Sequence, residues 1–248
     1  MTFYEEMRGY VLRHGAINNP YLDRFQDGEL TEDEFREFAV EFYNFARFFP
    51  KILVAQLVNT EDEAVADELT KVLYSELGDG RSKNRHELLY RDFLRSVGID
   101  VHGALTRPML ASTRAYIDGM EQLYSSGNHA VALGASFGLE NMAITMWDHL
   151  IPGLNKLRSA RYPGMDMTYF TFHRELEATH EDAMEKAVAA LEGPPADGAG
   201  GMSERERADF RQGVKGVLDY LEGFWKGLGK AGAGSRQAKV ARTSGSAA

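Results

Sequence analysis

The chain contains no cysteine among its 248 residues. This absence excludes disulfide bonds, thiolate catalysis, iron–sulfur clusters and cysteine-ligated zinc. Any bound metal must therefore be held by oxygen and nitrogen atoms. Basic residues are also few, 28 against 37 acidic ones, and the resulting net charge of -9 disfavours nucleic acid and anionic membranes as partners.

Long apolar runs are missing as well. No stretch approaches the roughly 20 apolar residues that a membrane-spanning helix needs. The first residues, Met1-Thr-Phe-Tyr-Glu-Glu, have neither the basic head nor the apolar run of a signal peptide. We therefore expect a cytoplasmic protein with no membrane contact, and the 44% hydrophobic content is enough for one domain with a large core.

Strand-like patterns are scarce, whereas helix signals recur. Thr31, Thr60 and Ser203 each precede a glutamate by three residues, the pattern of a helix capping box. The chain is therefore predicted to be all-α. The caps and the apolar spacing predict helices near 4–14, 31–58 with a break around Pro50, 61–77, 85–97, 108–125, 128–148, 164–191 and 203–228.

The composition changes near the C-terminus. Beyond Gly229 the chain is rich in Gly, Ala and Ser and has no acidic or aromatic residue. Such a segment cannot bury enough surface to offset the entropy lost on ordering. We therefore expect a helical domain over residues 1–228 and a disordered tail over 229–248.

The predicted helix 164–191 carries two histidines and a glutamate on one face. Offsets of four and seven residues from His173 place Glu177 and His180 within roughly 40° of it. The first and last side chains are about 10 Å apart along the helix axis, so two neighbouring metal ions fit this spacing better than one. A chance arrangement in an acidic helix explains the triplet equally well.

A second group of polar residues lies at a predicted junction between helices. Glu76 falls in the last turn of one helix, which Gly78 and Gly80 would end, and His86 opens the next. A short turn can direct both side chains inward. The alternative is an ordinary helix end with a solvated acid.

Glu140 lies alone among small and apolar residues. An isolated buried carboxylate is strongly penalised, so Glu140 needs a cation if it is buried. That cation could be a metal ion or a basic side chain, with Lys156, Arg158 and Arg161 as candidates; an exposed helix face is a third interpretation.

In chain order these residues resemble the ligand set of the haem-oxygenase-like dimetal oxidases, which are also described as iron-containing redox enzymes. The resemblance runs from about residue 20 to about residue 190 and rests on Glu76, His86, Glu140, His173, Glu177 and His180. It implies a haem-oxygenase-like bundle of seven to eight helices without haem. It also implies two Fe(II) ions, or Mn(II), with dioxygen as cosubstrate.

Members of that family oxidise small molecules by N-oxygenation, desaturation or carbon–carbon cleavage, and we expect an amino-acid-like substrate here. Arg158 and Arg161 precede the ligand helix and could bind a substrate carboxylate. One departure is Glu177, because the family usually has aspartate there, which puts full occupancy of the second metal site in question. The sequence leaves open an external electron donor and a homodimer.

Two other interpretations compete. A ferritin-like diiron bundle would use the Glu177-x-x-His180 unit, but Glu76 and Glu140 have no histidine three residues later to supply the second copy. A metal-free protein of the same fold, of the thiamin-salvage or pyrroloquinoline quinone type, is the other. The complete set of six metal-competent side chains argues against it.

Overall fold

The computed structural model describes residues 2–192 and 201–244, without the side chains at 177–183, 187, 189–192 and 233–244. Within these residues the chain is helical and has no strand. The prediction of an all-α fold is confirmed. The α-helices are α1 (Phe3–Arg13), α2 (Pro20–Gln26), α3 (Glu32–Val58), α4 (Glu63–Glu76), α5 (His86–Ser96), α6 (Val101–Thr106), α7 (Ala111–Tyr124), α8 (His129–Ala160), α9 (Thr168–Glu192) and α10 (Glu204–Ser244).

Two of the three predicted capping boxes form. Thr31 and Glu34 exchange hydrogen bonds at the start of α3, and Ser203 does the same with Glu206 before α10. The prediction for Thr60 is wrong, because the side chain of Asp62 accepts the hydrogen bond from Val65 and caps α4. The short helices α2 and α6 were not predicted, since segments of seven and six residues carry little periodic signal.

Prolines do not end the long helices. The predicted break at Pro50 is absent, and α3 is continuous through it; α8 likewise continues through Pro152 to Ala160. A proline inside a helix costs a hydrogen bond and creates a clash. Around Pro50 the cost is offset by burial of Phe49, Ile52 and Leu53 on the core side of α3.

Helix α8 is the centre of the bundle. Every residue from 130 to 143 is buried, because α2, α9 and α10 pack around it. The crossing with α10 is close: a Cβ at Gly213 would lie 2.0 Å from the backbone oxygen of Val131, so only glycine fits at this contact. The result is an enclosed helix segment that carries Glu140 into the interior.

Helix α10 extends beyond the predicted domain boundary. The sequence predicts a disordered tail from residue 229, whereas α10 continues through that position to Ser244. Leu228 and Gly232 are both buried, so packing continues past the expected end. Adding a residue to an existing helix costs far less than nucleating one, which lets α10 extend into a weakly apolar sequence. Across the described residues, no helix is both long and apolar enough to traverse a lipid bilayer.

Candidate metal centre

A tight turn brings Glu76 and His86 together. Glu76 is the last residue of α4 and His86 the first of α5. Between them Gly78 and Gly80 have φ angles of 92° and 74°. A Cβ at Gly78 would lie 2.5 Å from the carbonyl oxygen of Arg81, so a larger residue does not fit this turn.

Helix α9 adds His173 to this pair. One ligand atom from each of Glu76, His86 and His173 lies within 4.8 Å of the other two. The Oε2 atom of Glu76 is 2.9 Å from Nδ1 of His86, and its Oε1 atom is 3.9 Å from Nε2 of His173. All three residues are buried, with at most 6% of their surface exposed. We call these three residues the ligand triad.

Within the triad, His86 has a feature expected of a metal ligand. Neither ring nitrogen of His86 makes a hydrogen bond, although both are buried, and the 2.9 Å approach to Glu76 is not aligned as one. Leaving buried polar atoms unsatisfied is costly. A separation of about 3 Å is that of neighbouring ligand atoms around an octahedral ion with bonds of about 2.1 Å. The residues therefore fit a metal ion.

The backbone sets the tautomer of His173. Its Nδ1 atom lies 2.7 Å from the carbonyl oxygen of Tyr169, four residues earlier on α9. A carbonyl only accepts, so Nδ1 carries the proton and donates it. In the neutral ring the lone pair is then on Nε2, the nitrogen that faces Glu76. Such a hydrogen bond to the other nitrogen is the usual support of a metal-binding histidine.

Glu140 lies beside the triad without joining its closest contacts. It is 4% exposed and lines a cavity of about 40 Å³ together with Glu76 and His173. Burial, and after it the charge of Glu140, raises the pKa of Tyr116 and of Tyr124, so both phenols stay protonated. Glu140 is thus a buried carboxylate that lines the same cavity as two members of the triad.

The basic residues considered as alternatives for Glu140 lie elsewhere. Lys156 approaches Asp27, and Arg161 donates to the carbonyl oxygen of Leu30. Arg158 is exposed, 18 residues beyond Glu140 on α8, which is about 27 Å along the axis. The structure therefore does not bring Arg158 or Arg161 to the site, which argues against the expectation that they bind substrate there.

The remaining predicted ligands lie on α9. Glu177 and His180 follow His173 by one and two turns of this helix, but their side chains lie outside the described residues. The helix does place all three positions on one side, as the spacing predicted. Their part in a metal site stays a prediction.

Aromatic and sulfur-containing side chains wall the cavity. The aromatic residues that line it are Phe45, Phe49, Trp147 and Tyr169. Phe42, Tyr43 and Phe170 are ordinary core, and Tyr74 is 55% exposed. Met142 and Met146 also line the cavity and were not predicted. Their spacing of four residues, close to Glu140 on one helix, was the available signal.

Comparison with known proteins gives a family match. The sequence profile of the family described as iron-containing redox enzymes matches residues 36–208, a span that contains all six predicted ligands. The chain belongs to this family. It is 27% identical to 4-chloro-allylglycine synthase of Streptantibioticus cattleyicolor over 91% of this chain and 82% of that protein. It is 23% identical to 4-aminobenzoate synthase of Chlamydia muridarum over 90% and 91% of the two chains.

Solved structures show the fold of this family member. A CADD-like protein of unknown function from Nostoc punctiforme has a TM-score of 0.76 at 16% identity, covering 93% of this chain and 96% of its own. A domain with a heme oxygenase-like fold from Shewanella denitrificans has a TM-score of 0.68 at 18% identity, with 92% and 89% covered. A TenA homologue from Pseudomonas syringae has a TM-score of 0.71 at 14% identity, with 92% and 90% covered. The haem-oxygenase-like fold is confirmed.

Proposed function

We propose that this protein is a non-haem diiron oxidase or oxygenase that uses dioxygen to oxidise a small amino-acid-like molecule. Glu76, His86 and His173 would hold one Fe(II) ion. Glu140, Glu177 and His180 would bind or bridge a second ion beside it. The observation that carries the proposal is His86, because neither of its buried nitrogens makes a hydrogen bond while one lies 2.9 Å from a buried carboxylate.

The donor set agrees with iron. Carboxylate oxygens and imidazole nitrogens suit Fe(II) and Mn(II), and hard oxygen ligands also support the oxidised metal. Bound iron would supply the electrons that activate dioxygen. The carbonyl oxygen of Tyr169 accepts a hydrogen bond from Nδ1 of His173, which turns Nε2 toward Glu76. The ring therefore does not have to reorient when an ion binds.

The walls of the cavity protect the reaction from water. Phe45, Phe49, Leu139 and Trp147 make the surroundings of the triad apolar, which excludes competing proton donors. The cavity holds about 40 Å³, on the scale of one water molecule, and is too small for an amino acid. An amino-acid substrate would need more room than this, which movement of the walls would supply. Methionines repack readily, so Met142 and Met146 are the residues that would yield.

The relatives support the substrate class. The names of 4-chloro-allylglycine synthase and 4-aminobenzoate synthase both denote products that carry an amino group and a carboxylate. At 27% and 23% identity, these names support the class of compound and not the compound itself. We therefore assign this chain a small molecule that carries both groups.

Anaerobic titration with Fe(II) followed by exposure to oxygen tests the proposal. The wild-type protein should bind up to two ions per chain. It should consume oxygen in the presence of an amino acid that serves as its substrate, and mass spectrometry identifies that substrate by its oxidised product. His173→Ala and Glu140→Ala should each abolish this consumption while helicity by circular dichroism is retained. His102→Ala, at an exposed histidine of α6, is the matched control and should behave as the wild type.

Two results would contradict the proposal. Binding of no more than stray iron, with no oxygen-dependent change in absorption under any substrate, would favour a metal-free enzyme or binding protein of the same fold. Retained turnover in both His173→Ala and Glu140→Ala would refute the assignment of the site.

A further inference from the structure

The exposed large hydrophobic side chains of the described residues cluster on two neighbouring helices. Val54 and Val58 lie one turn apart on α3, and Tyr74 and Leu77 lie close together at the end of α4. Val58 is the most exposed, at 78%. Val54 and Leu77 line the same groove, and exposed apolar residues that lie together mark a contact surface.

This apolar group borders a basic groove of about 490 Å³ between α3, α4 and α5, which contains Val54 and Leu77 in its lining. Four cations line the groove against one acid, Glu87; they are Arg47, Lys51, Arg85 and Arg91. We call this surface the basic face.

Most of these cations lack an acidic partner. Arg91 pairs with Glu87 at 2.5 Å, while no carboxylate of the described residues pairs with Arg47, Lys51 or Arg85. Arg47 and Lys51 instead lie over the ring of Phe48, at 4.4 and 5.4 Å. A protein with a net charge of -9 thus gathers unpaired positive charge in one place. An acidic partner would complement it.

The basic face lies directly behind the ligand triad. Arg85 and Glu87 line the groove while His86, between them, belongs to the triad. Leu77 lines the groove, and its neighbour Glu76 lines the cavity beside the triad. On α3, Phe48 lines the groove and Phe49 lines the cavity beside the triad. Adjacent residues of the same segments therefore line the groove and the cavity beside the triad.

We propose that the basic face docks an acidic electron-carrier protein of the iron–sulfur type. The proposal rests on the proposed function, since a carrier is of use only if the site holds iron. In each docking the reduced carrier would lose one electron and a ferric ion at the triad would gain it. A protein fits better than a small anion, because the groove of about 490 Å³ combines its cations with the apolar side chains Val54, Leu73 and Leu77.

Binding of an acidic [2Fe–2S] ferredoxin to the full-length protein, with and without Fe(II), tests the proposal. We expect measurable binding that weakens as sodium chloride increases, because exposed charges are screened. The double variant Lys51→Glu/Arg85→Glu should weaken binding by roughly tenfold or more, since it places like charges against the partner. Arg205→Glu, the same charge change at an exposed arginine of α10, is the control and should bind as the wild type.

Val54→Ser gives an independent measurement that leaves every charge in place. It should also weaken ferredoxin binding, and circular dichroism and melting temperature check that each variant is folded. In stopped-flow measurements, reoxidation of reduced ferredoxin by the ferric protein should slow in the double variant and not in Arg205→Glu.

Absence of ferredoxin binding, or equal binding by the wild type and the double variant, would overturn the proposal. Self-association of the wild type that the double variant abolishes, measured by sedimentation, would also overturn it and make the basic face an interface between two copies. Failure of the proposed function can be distinguished from failure of this proposal. It would appear as missing iron binding, or as missing oxygen consumption when a chemical reductant supplies the electrons. Ferredoxin binding is measured directly and does not depend on either result.

Discussion

His86 shows how a single side chain reveals a functional site. Its ring is buried, with 2% of the residue exposed, and sits 4.3 Å from the ring of His173, yet neither of its nitrogens is satisfied by a protein atom. A histidine selected for stability alone would hydrogen bond or be replaced by an apolar residue. A cation bound between His86 and Glu76 would satisfy these buried atoms.

Metal binding should therefore stabilise the protein through His86. Mn(II) at about 100 times its dissociation constant adds about 2.7 kcal/mol to the free energy of unfolding, which raises the melting temperature by roughly 5–10 °C for a chain of this size. His86→Ala should lose this shift, and His102→Ala should keep it. Differential scanning fluorimetry measures both, and an equal shift in the two variants would refute the role of His86.

Two buried carboxylates on α3 have pKa values that are shifted in opposite directions. Burial alone would raise the pKa of Glu34, but hydrogen bonds from Arg24 and from the backbone of Thr31 outweigh it and lower the pKa. For Glu41, burial is dominant and raises the pKa, although the Thr113 side chain and the Leu110 backbone act against it.

The pH dependence of stability follows from these signs. The lowered pKa of Glu34 contributes stability that is present above its unfolded pKa of about 4.3 and is lost as the pH falls through the folded value. Glu34→Gln should therefore be destabilising at pH 7, with the difference shrinking toward pH 3. Glu41→Gln should be stabilising at pH 7, with the gain disappearing toward pH 4. Urea unfolding across this range measures both, and differences that do not vary with pH would contradict the assignment.

At the scale of elements, the turn between α4 and α5 decides whether the site forms. Gly78 has a φ angle of 92° and close backbone neighbours, whereas Gly98, after α5, has a φ angle of 71° and no atom within 4 Å of the place that a Cβ would take. The two positions share the left-handed backbone and differ in free space. Substitutions at the two positions therefore distinguish the cost of the left-handed backbone from the cost of a steric clash.

Gly78→Ala should cost more than Gly98→Ala. The left-handed conformation alone costs roughly 1–2 kcal/mol in both. At Gly78 the clash with Arg81 must also displace the turn that aligns Glu76 with His86, so the Mn(II)-induced melting shift should fall as well. Gly98→Ala should keep the full shift. Urea unfolding and fluorimetry test this, and equal losses in both variants would show that the turn does not position the ligands.

At the scale of the whole molecule, α10 closes the bundle around α7 and α8. Trp225 is fully buried and its ring stacks on those of Tyr21 and Phe38, at 5.8 and 6.5 Å. This one side chain therefore joins the last helix to α2 and α3, which are distant in sequence.

Trp225→Ala should destabilise the protein by about 3–5 kcal/mol, the usual cost of removing a large buried ring. Trp225→Phe keeps an aromatic ring in place and should recover most of that loss. The midpoints of chemical unfolding measure the two costs. A loss below about 1 kcal/mol in Trp225→Ala, the size of an ordinary surface change or less, would show that α10 is not part of the cooperative core.

Much of the site was predictable from local pattern. Helical spacing put His173, Glu177 and His180 on one face, and glycines after Glu76 predicted the turn before His86. These features depend on residues close in sequence. The structure gives no support to the expected substrate role of Arg158. This residue precedes α9 in the sequence, but it lies far from Glu140 along α8.

The sequence by itself determined the all-α class, the helix that carries His173 and the kinds of ligand available, since helical period and side-chain chemistry are local properties. Only the tertiary structure decided that Glu76, His86 and His173 converge, that Glu140 is enclosed beside them, and that unpaired cations gather behind the site. The physical reason is that burial and distance depend on how α3, α4, α5, α8 and α9 pack. Packing is set by contacts between residues far apart in the chain.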